Sequence, residues 1–348
     1  MIRFVLAFAA LLFLVPVAQA ASFDCAKAGT SFEKAICSNP DLSKQDETLA
    51  QAYATALGGL STDAANAVKT SQHNWLDYAA RVCSDDAQPI TGDYTADQST
   101  CLSGEFTNRI KQLEDSKMEG GYRFYPVEKF LVEKDPDATD DTSNNKVATK
   151  HFLTVKIDRD DDVAQAFNDM TEKMRVAIDA NAGGDNAPMF DKSGELAKGD
   201  TSTDIDHTVN VNKVTSSLIT LETDYFWYGH GAAHGNYGSS YNHFIIAEKR
   251  ELVGSDVFKG KGWQAKFAKL VIKKAKADLG DEWQGDDSSG DLTKTIADPT
   301  HWKFDDAGLT VVFDPYEVAS YARGTVETTV PWDQLTDLIT DNAQSYTY

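Results

Sequence analysis

Basic residues are scarce in this sequence. Lysine and arginine together number 33, against 54 aspartates and glutamates, which gives a formal net charge of −21 at pH 7. Nucleic acid and anionic lipid surfaces require basic patches for binding, so the charge argues against both as partners. The same acidic field favours encounters with a basic protein.

Long hydrophobic runs are missing after the first twenty residues. The apolar run from Phe4 to Val17 follows Arg3 and precedes the small-residue triplet Ala18-Gln19-Ala20. These three features are typical of a secretory signal peptide, and the run is shorter than the roughly 20 residues that a membrane-spanning helix needs. We therefore predict that residues 1–20 are a cleaved signal peptide and that the acidic mature protein is periplasmic or secreted, with no membrane insertion.

Cysteine is confined to the first third of the chain. The four cysteines are Cys25, Cys37, Cys83 and Cys101. An even number in an oxidising compartment indicates two structural disulfides, and three pairings are possible, of which Cys25–Cys37 and Cys83–Cys101 close the shortest loops. The spacings lack the short C-x(2–4)-C pattern of zinc ligands.

Apolar residues recur at helical spacing around these cysteines. The three sets are Leu42, Leu49, Tyr53, Ala56 and Leu57; Val68, Trp75, Leu76, Ala79 and Val82; and Leu102, Phe106, Ile110 and Leu113. They predict a three-helix bundle, with a short helical turn near Phe32 to Ile36. We expect residues 21–117 to form a small all-α domain held by the disulfides.

The pattern changes after Lys117, where glycines precede alternating runs. Predicted strands are Val127–Glu133, Phe152–Ile157, Val209–Val214, Ser217–Tyr228, Tyr241–Ala247, Leu309–Phe313 and Thr325–Val330; predicted helices are Val163–Ile178, Trp263–Leu279 and Trp332–Ile339. Strands and helices do not alternate regularly, so residues 122–348 are predicted to form a larger α+β domain with a mainly antiparallel sheet. Asp135–Asn145 and Asn181–Thr203 have the composition of solvated loops.

The motif YGHGAAHGNYG, residues 228–238, is the sharpest local feature. His230 and His234 would share one face of a helix, but the glycines between and around them disfavour a helix. In a strand, four residues span about 13 Å, which is too far for both imidazoles to bind one metal ion. The motif therefore indicates a glycine-rich strand junction whose backbone approaches a neighbour closely, with His and Asn side chains bonded to turn amides.

Common catalytic signatures are absent. The sequence has no G-x-S-x-G elbow, no P-loop and no dinucleotide fingerprint. We predict a binding protein that is not an enzyme and uses no catalytic residues, metal or cofactor. The candidate binding residues are the polar and aromatic side chains of the glycine-rich motif and of the later segment Phe313–Gly324, namely Tyr228, His230, His234, Asn236, Tyr237, Tyr316 and Tyr321.

The first part of the chain resembles the amino-terminal domain of the lysozyme inhibitor LprI family. The resemblance is carried by SFDCAKAGTSFEKAIC, PDLSKQDETLAQAY, Gln72-x-x-Trp75-Leu76, Cys101-Leu102 and Arg109-Ile110. The family commonly has an arginine four residues after the tryptophan, where this chain has Ala79. This likeness implies a lysozyme-binding module.

The second part, from about Tyr125 to Ile339, is similar to the extracytoplasmic domain of the anti-sigma factor RsiV. The matching pieces are YGHGAAHGNYGSSYNHF, with His230 where that family usually has glycine, and GLTVVFDPYEVASYARGTVETTVPW. In RsiV this domain binds lysozyme, and elsewhere it accompanies a separate deacetylase domain that this sequence lacks.

Together these features predict a secreted or periplasmic protein of the cell envelope that binds lysozyme, or a related basic muramidase, and inhibits it by occluding the substrate cleft. One alternative is an envelope protein that binds peptidoglycan or another glycan without inhibition. A second alternative is a metal-dependent hydrolase centred on His230, His234 and His243.

Overall fold

A computed structural model of the protein describes residues 21–136, 138, 146–181, 189–199, 201–287 and 290–346. The predicted signal peptide lies outside the described residues, as do most of the predicted loop Asp135–Asn145 and part of Asn181–Thr203. Over the described ranges, the helices fall short of the length and apolar character needed to cross a membrane.

Four helices open the described chain. They are α1 (Ser31–Ser38), α2 (Pro40–Leu57), α3 (Thr62–Val82) and α4 (Ala96–Leu113). Side-chain caps set their starts: Thr30 and Thr95 each form a capping box with a residue three positions later, and the Ser61 hydroxyl accepts a hydrogen bond from the Ala64 amide. The predicted helical bundle is confirmed.

Two disulfides hold this region, Cys25–Cys37 and Cys83–Cys101. They are the pairs that close the shortest loops. The second joins the end of α3 to α4, whose facing side chains form the helical core. At its centre the indole of Trp75 meets the ring of Phe106 edge-on, with a centroid distance of 5.3 Å. Such aromatic pairs add stability beyond the burial of their area.

A seven-stranded sheet follows in the order β1-β2-β3-β4-β5-β6-β7. Its strands are β1 (Met118–Glu119), β2 (Tyr122–Lys134), β3 (Val147–Ile157), β4 (Thr203–Val214), β5 (Leu218–Gly229), β6 (Asn236–Ile245) and β7 (Arg250–Glu251). All neighbouring pairs are antiparallel except β3 and β4, which are parallel. Parallel neighbours need a crossover, and α5 (Asp162–Asn181) provides it.

The remaining elements build a second layer around a smaller sheet. They are α6 (Gly254–Val257), α7 (Trp263–Leu279), α8 (Gly290–Ala297), β8 (Trp302–Phe304), β9 (Gly308–Phe313), β10 (Val326–Pro331) and α9 (Trp332–Leu335). The three strands are antiparallel in the order β10-β9-β8. The predicted α+β class with a mainly antiparallel sheet is confirmed.

The last predicted helix, Trp332–Ile339, is shorter in the structure. Helix α9 has a single turn, because the chain then bends so that Ile339 pairs with Phe258 in an isolated β-bridge. Ile339 is buried there in the core around Trp302. Tertiary burial thus overrides the local helical pattern.

The helices pack directly against the large sheet. Val132 of β2 is buried in the helical core, and Tyr125 and Phe130 of the same strand pack beside it. The hydroxyl of Ser71 in α3 accepts a hydrogen bond from the backbone amide of Glu128, at 3.1 Å. The helical region and β2 therefore share one hydrophobic core.

Candidate functional site

Four of the predicted binding residues meet in one surface cluster. The ring of Tyr321 stacks on His234 at a centroid distance of 3.9 Å, lies 5.4 Å from Tyr316, and meets Tyr237 edge-on at 5.8 Å. We call His234, Tyr237, Tyr316 and Tyr321 the aromatic patch. The sequence separates its two halves by about eighty residues, and the fold brings them together.

A strained turn presents the most exposed ring of the patch. After β9, Asp314-Pro315-Tyr316-Glu317 forms a turn closed by a hydrogen bond from the Glu317 amide to the Asp314 carbonyl oxygen, at 3.1 Å. Proline at the second position suits such a turn, but Tyr316 at the third has φ +75°, a conformation that favours glycine. Tyr316 is nevertheless 60% exposed. A bulky residue kept in strain at the surface points to a role outside folding.

The carboxylate of Asp314 fixes this turn to the large sheet. It accepts hydrogen bonds from the Ser239 amide, at 3.0 Å, and from the Tyr225 hydroxyl, at 3.2 Å. Burial raises the pKa of Asp314, and these two hydrogen bonds oppose the shift. The β6 backbone therefore positions Tyr316 by holding the side chain of Asp314, which directly follows β9 of the smaller sheet.

Glycines allow this close approach. A Cβ on Gly238 would overlap the Asp314 carboxylate, and one on Gly235 would lie 2.9 Å from the Trp227 carbonyl oxygen. The predicted close approach of backbone in this motif is confirmed. The expected bonds from histidine to turn amides are not what the structure shows, because His234 Nδ1 faces the Gly235 carbonyl oxygen at 2.9 Å. That same oxygen accepts a hydrogen bond from the Tyr321 hydroxyl at 2.7 Å, which ties the two halves of the patch together.

The other three candidate residues have different surroundings from those of the patch. The side chain of His230 is 5% exposed; its Nδ1 lies 2.6 Å from an Asp135 oxygen and its Nε2 3.5 Å from an Asp204 oxygen. Tyr228 donates a hydrogen bond to the Ala232 carbonyl oxygen at 3.3 Å. Asn236 lines a separate cavity. His230 thus holds the strand junction to two neighbouring segments through acidic partners.

The histidines considered for a metal site have different surroundings. His243 is buried, with Nδ1 3.0 Å from the Thr220 hydroxyl and Nε2 3.0 Å from the Trp302 carbonyl oxygen, and burial lowers its pKa to about 4. His230 sits between carboxylates, and His234 belongs to the patch. Across the described part of the chain, no three His, Cys, Asp or Glu side chains are grouped so as to hold a metal ion.

A buried ionic cluster links the helices to the sheet, and the sequence reasoning missed it. Arg109 of α4, fully buried, forms a short ion pair with Glu128 of β2, and its Nε donates to Gln72 at 3.0 Å. His151 of β3 lies 3.4 Å from Glu128 and 2.9 Å from Asp206. These groups come from five elements spread between residues 72 and 206, so no local spacing indicates them. Arg109 and Gln72 do occur in the quoted LprI-like motifs, which is the one available signal.

This cluster borders a cavity of about 250 Å³ that Glu105, Tyr78 and Asp206 also line. Burial raises the pKa of Glu105 to about 7, while the nearby His151 opposes the shift. Burial alone would lower the pKa of His151, but hydrogen bonds to Asp206 and Glu128 outweigh it and raise the pKa to about 9. The cluster is therefore a charged joint in which His151 is a cation at neutral pH.

The free energy of unfolding is expected to fall as His151 of this cluster loses its proton. His151 titrates near 6.5 in the unfolded chain and near 9 in the folded one, so its contribution is complete below pH 6.5 and is lost as pH rises through about 9. Urea unfolding at steps between pH 6 and 9.5 measures this slope, which one proton limits to about 1.4 kcal/mol per pH unit. His151→Gln should flatten it. The exposed His73→Gln is the matched control, and an unchanged slope in His151→Gln would contradict the assignment.

Comparisons with known proteins match two separate stretches of the chain. Residues 24–113 match the family described as Lysozyme inhibitor LprI, and residues 255–333 match the family described as Protein of unknown function (DUF3298). No curated protein matches the chain.

Six solved chains match. One is a DUF3298 family member from Bacteroides fragilis, with 16% identity and a TM-score of 0.44, covering 65% of this chain and 96% of that one. Another is a DUF3298 family protein from Pseudomonas aeruginosa, with 14% identity and a TM-score of 0.47, covering 66% and 98%. The two predicted resemblances are confirmed over the matched residues: 24–113 match the LprI family, and 255–333, the later part of the predicted RsiV-like stretch Tyr125–Ile339, match DUF3298, which is the RsiV-like extracytoplasmic domain type.

Proposed function

We propose that this protein binds lysozyme, or a related basic muramidase, and inhibits it by covering the substrate cleft with the aromatic patch. The two family matches support a lysozyme-binding or inhibitory role in general. The observation that carries the finer proposal is the exposed Tyr316 ring, held in a strained turn beside Tyr321 and His234.

The chemistry of the patch suits a protein interface. Tyrosine brings a large contact area with few rotatable bonds, and it is enriched among residues that dominate binding energy. The rings already rest on one another, so little freedom is lost on binding. A cleft of a muramidase that accepts sugar rings offers a concave surface for such side chains.

Charge complements this geometry. The chain carries a net charge of −21, and Asp314 and Glu317 lie in the turn that presents Tyr316. A basic lysozyme would be steered toward such a surface, and the rate of encounter would fall as salt is added. The same proposal places the mature protein in the periplasm or outside the cell, where the two disulfides are stable.

A lysis assay tests the proposal. Purified mature protein, with its disulfides intact, is titrated against hen-type lysozyme acting on bacterial cell walls. We expect inhibition that is complete near a one-to-one ratio at low salt and weaker at high salt. Absence of inhibition at a large molar excess would refute the proposal for this class of lysozyme.

Tyr316→Gly separates folding from binding at the patch. Glycine relieves the strain at φ +75°, which costs a bulky residue about 1–2 kcal/mol, and this gain offsets the lost ring contacts and the greater freedom of the unfolded chain. We expect the free energy of unfolding to change by less than about 1 kcal/mol. Affinity for lysozyme, measured by calorimetry, should fall about tenfold or more. A large loss of stability would show instead that Tyr316 is needed for folding.

A further inference from the structure

A second, separate cavity lies between the carboxyl-terminal half of α5 and strands β4, β5 and β6. Its volume is about 670 Å³, within the range of small-molecule sites in proteins. Met174 and Ile178 of the helix and Tyr225 and Trp227 of β5 give it largely carbon walls. The Tyr225 hydroxyl also donates a hydrogen bond to Asp314, in the turn that presents Tyr316.

Two of the residues that line this cavity each carry a polar atom without a hydrogen-bond partner. These atoms are His207 Nδ1 and Thr223 Oγ1, and both are shielded from solvent. Thr223 as a whole is 6% exposed. An orphaned buried polar atom costs about 1–3 kcal/mol, so a ligand that pairs with both atoms would recover that cost.

Neither group carries charge. Burial lowers the pKa of His207 to about 4, so its imidazole is neutral at physiological pH. The described lining residues include no lysine, arginine, aspartate or glutamate. A charged ligand would lose its hydration there without finding a counter-ion, which costs a large free energy. A neutral ligand does not face this cost.

We propose that this cavity binds a neutral, mainly apolar small molecule that carries a hydroxyl or N–H group. The apolar body packs against the Trp227, Tyr225, Met174 and Ile178 side chains. The polar group pairs with His207 Nδ1 and Thr223 Oγ1, which turn toward it by rotation of their side chains. Binding satisfies both orphaned atoms, and it does not depend on the proposed interaction with lysozyme.

N-phenyl-1-naphthylamine is a suitable probe, because it is neutral, largely apolar, carries one N–H and fluoresces when it leaves water. Titrated against the full mature protein, it should give a saturable rise in emission for one site, with a Kd near ~1–10 µM, a scale set by its small size. Anilinonaphthalene sulfonate, its anionic counterpart, should bind at least tenfold more weakly. Linear, unsaturable emission, or equal affinity for the anion, would overturn the proposal.

Variants locate the probe. Ser240 lies opposite Thr223 on the neighbouring strand and lines the cavity, so Ser240→Phe should fill it and weaken binding at least tenfold. Thr208→Phe, on the opposite side of β4 from His207, is the matched control and should leave binding unchanged. His207→Leu keeps the carbon walls and removes the acceptor, so binding should weaken about three- to tenfold even if Ser240→Phe does not fold. Unchanged binding in both cavity variants would show that the probe sits elsewhere and would overturn the proposal.

Discussion

Replacing Arg109 with leucine is expected to cost the protein about 3–5 kcal/mol of its free energy of unfolding. Arg109 is fully buried and neutralises Glu128, whose side chain is also fully buried. Burial alone would raise the pKa of Glu128, but Arg109 and His151 hold it below its usual range. Without the guanidinium, a buried carboxylate keeps His151 as its remaining cation, at 3.4 Å.

The loss of stability in Arg109→Leu should depend on pH and on the presence of the Glu128 carboxylate. Because protonation neutralises Glu128, the variant should be least impaired at acidic pH and most impaired near neutrality. Urea unfolding monitored by tryptophan fluorescence measures the free energy of unfolding at acidic pH and at neutral pH. Adding Glu128→Gln to Arg109→Leu should recover much of the stability, since no charge then stays buried unpaired. If the double variant is as unstable as the single one, packing of the arginine stem explains the loss instead.

Arg81→Leu is the control for this experiment. Arg81 pairs with Asp77 one helical turn away, and the aspartate side chain is 63% exposed. Exposed pairs of this kind contribute about 0–1 kcal/mol. The family-typical arginine position is Ala79, which is buried in the helical core, and the side chain of Arg81 is 25% exposed.

The contrast between Arg81 and Arg109 shows which contacts sequence patterns can predict. Helical periodicity and alternation depend on neighbours along the chain. They located the helices around Trp75 and the longer strands of both sheets, but not the two- and three-residue strands β1, β7 and β8. The partners of Arg109 lie on α3 and β2, and His151 of β3 joins them through Glu128. Their meeting depends on how the helices dock on the sheet. A long-range ionic cluster has no period, so it could be seen only once that docking was known.

The aromatic patch is a second case in which local patterns predict the residues but not the contacts between them. Tyr237 and Tyr321 were each singled out as surface candidates, because each follows a strand-like run in a turn-rich segment. Their contact requires that Asp314 reach across to β6, and Gly238 leaves the space for it. The glycines of the motif predict that its backbone approaches a neighbouring segment closely, but they do not predict which segment that is. His230, from the same motif, turned inward to Asp135 and Asp204.

Tyr321→Ala is expected to lower the affinity for lysozyme by about 30-fold or more, the effect of losing a residue worth at least about 2 kcal/mol at an interface. Tyr321 contacts every other ring of the patch, and its hydroxyl donates to the Gly235 carbonyl oxygen at 2.7 Å. Its removal therefore takes away the one ring that His234, Tyr237 and Tyr316 all contact, as well as deleting contact area. Calorimetry and the lysis assay should both register the loss.

Two further variants make this result specific. Tyr321→Phe keeps the ring and removes only the hydrogen bond, so it should lose less than about tenfold in affinity, near the 1 kcal/mol of an ordinary hydrogen bond. Leu76→Ser alters a side chain that is 43% exposed on α3, inside the LprI-like motif. If lysozyme instead docks on the helices, Leu76→Ser will weaken binding and Tyr321→Ala will not. That outcome would move the binding surface to the helical region while leaving the lysozyme-binding function intact, because Leu76 lies in the stretch that matches the LprI family.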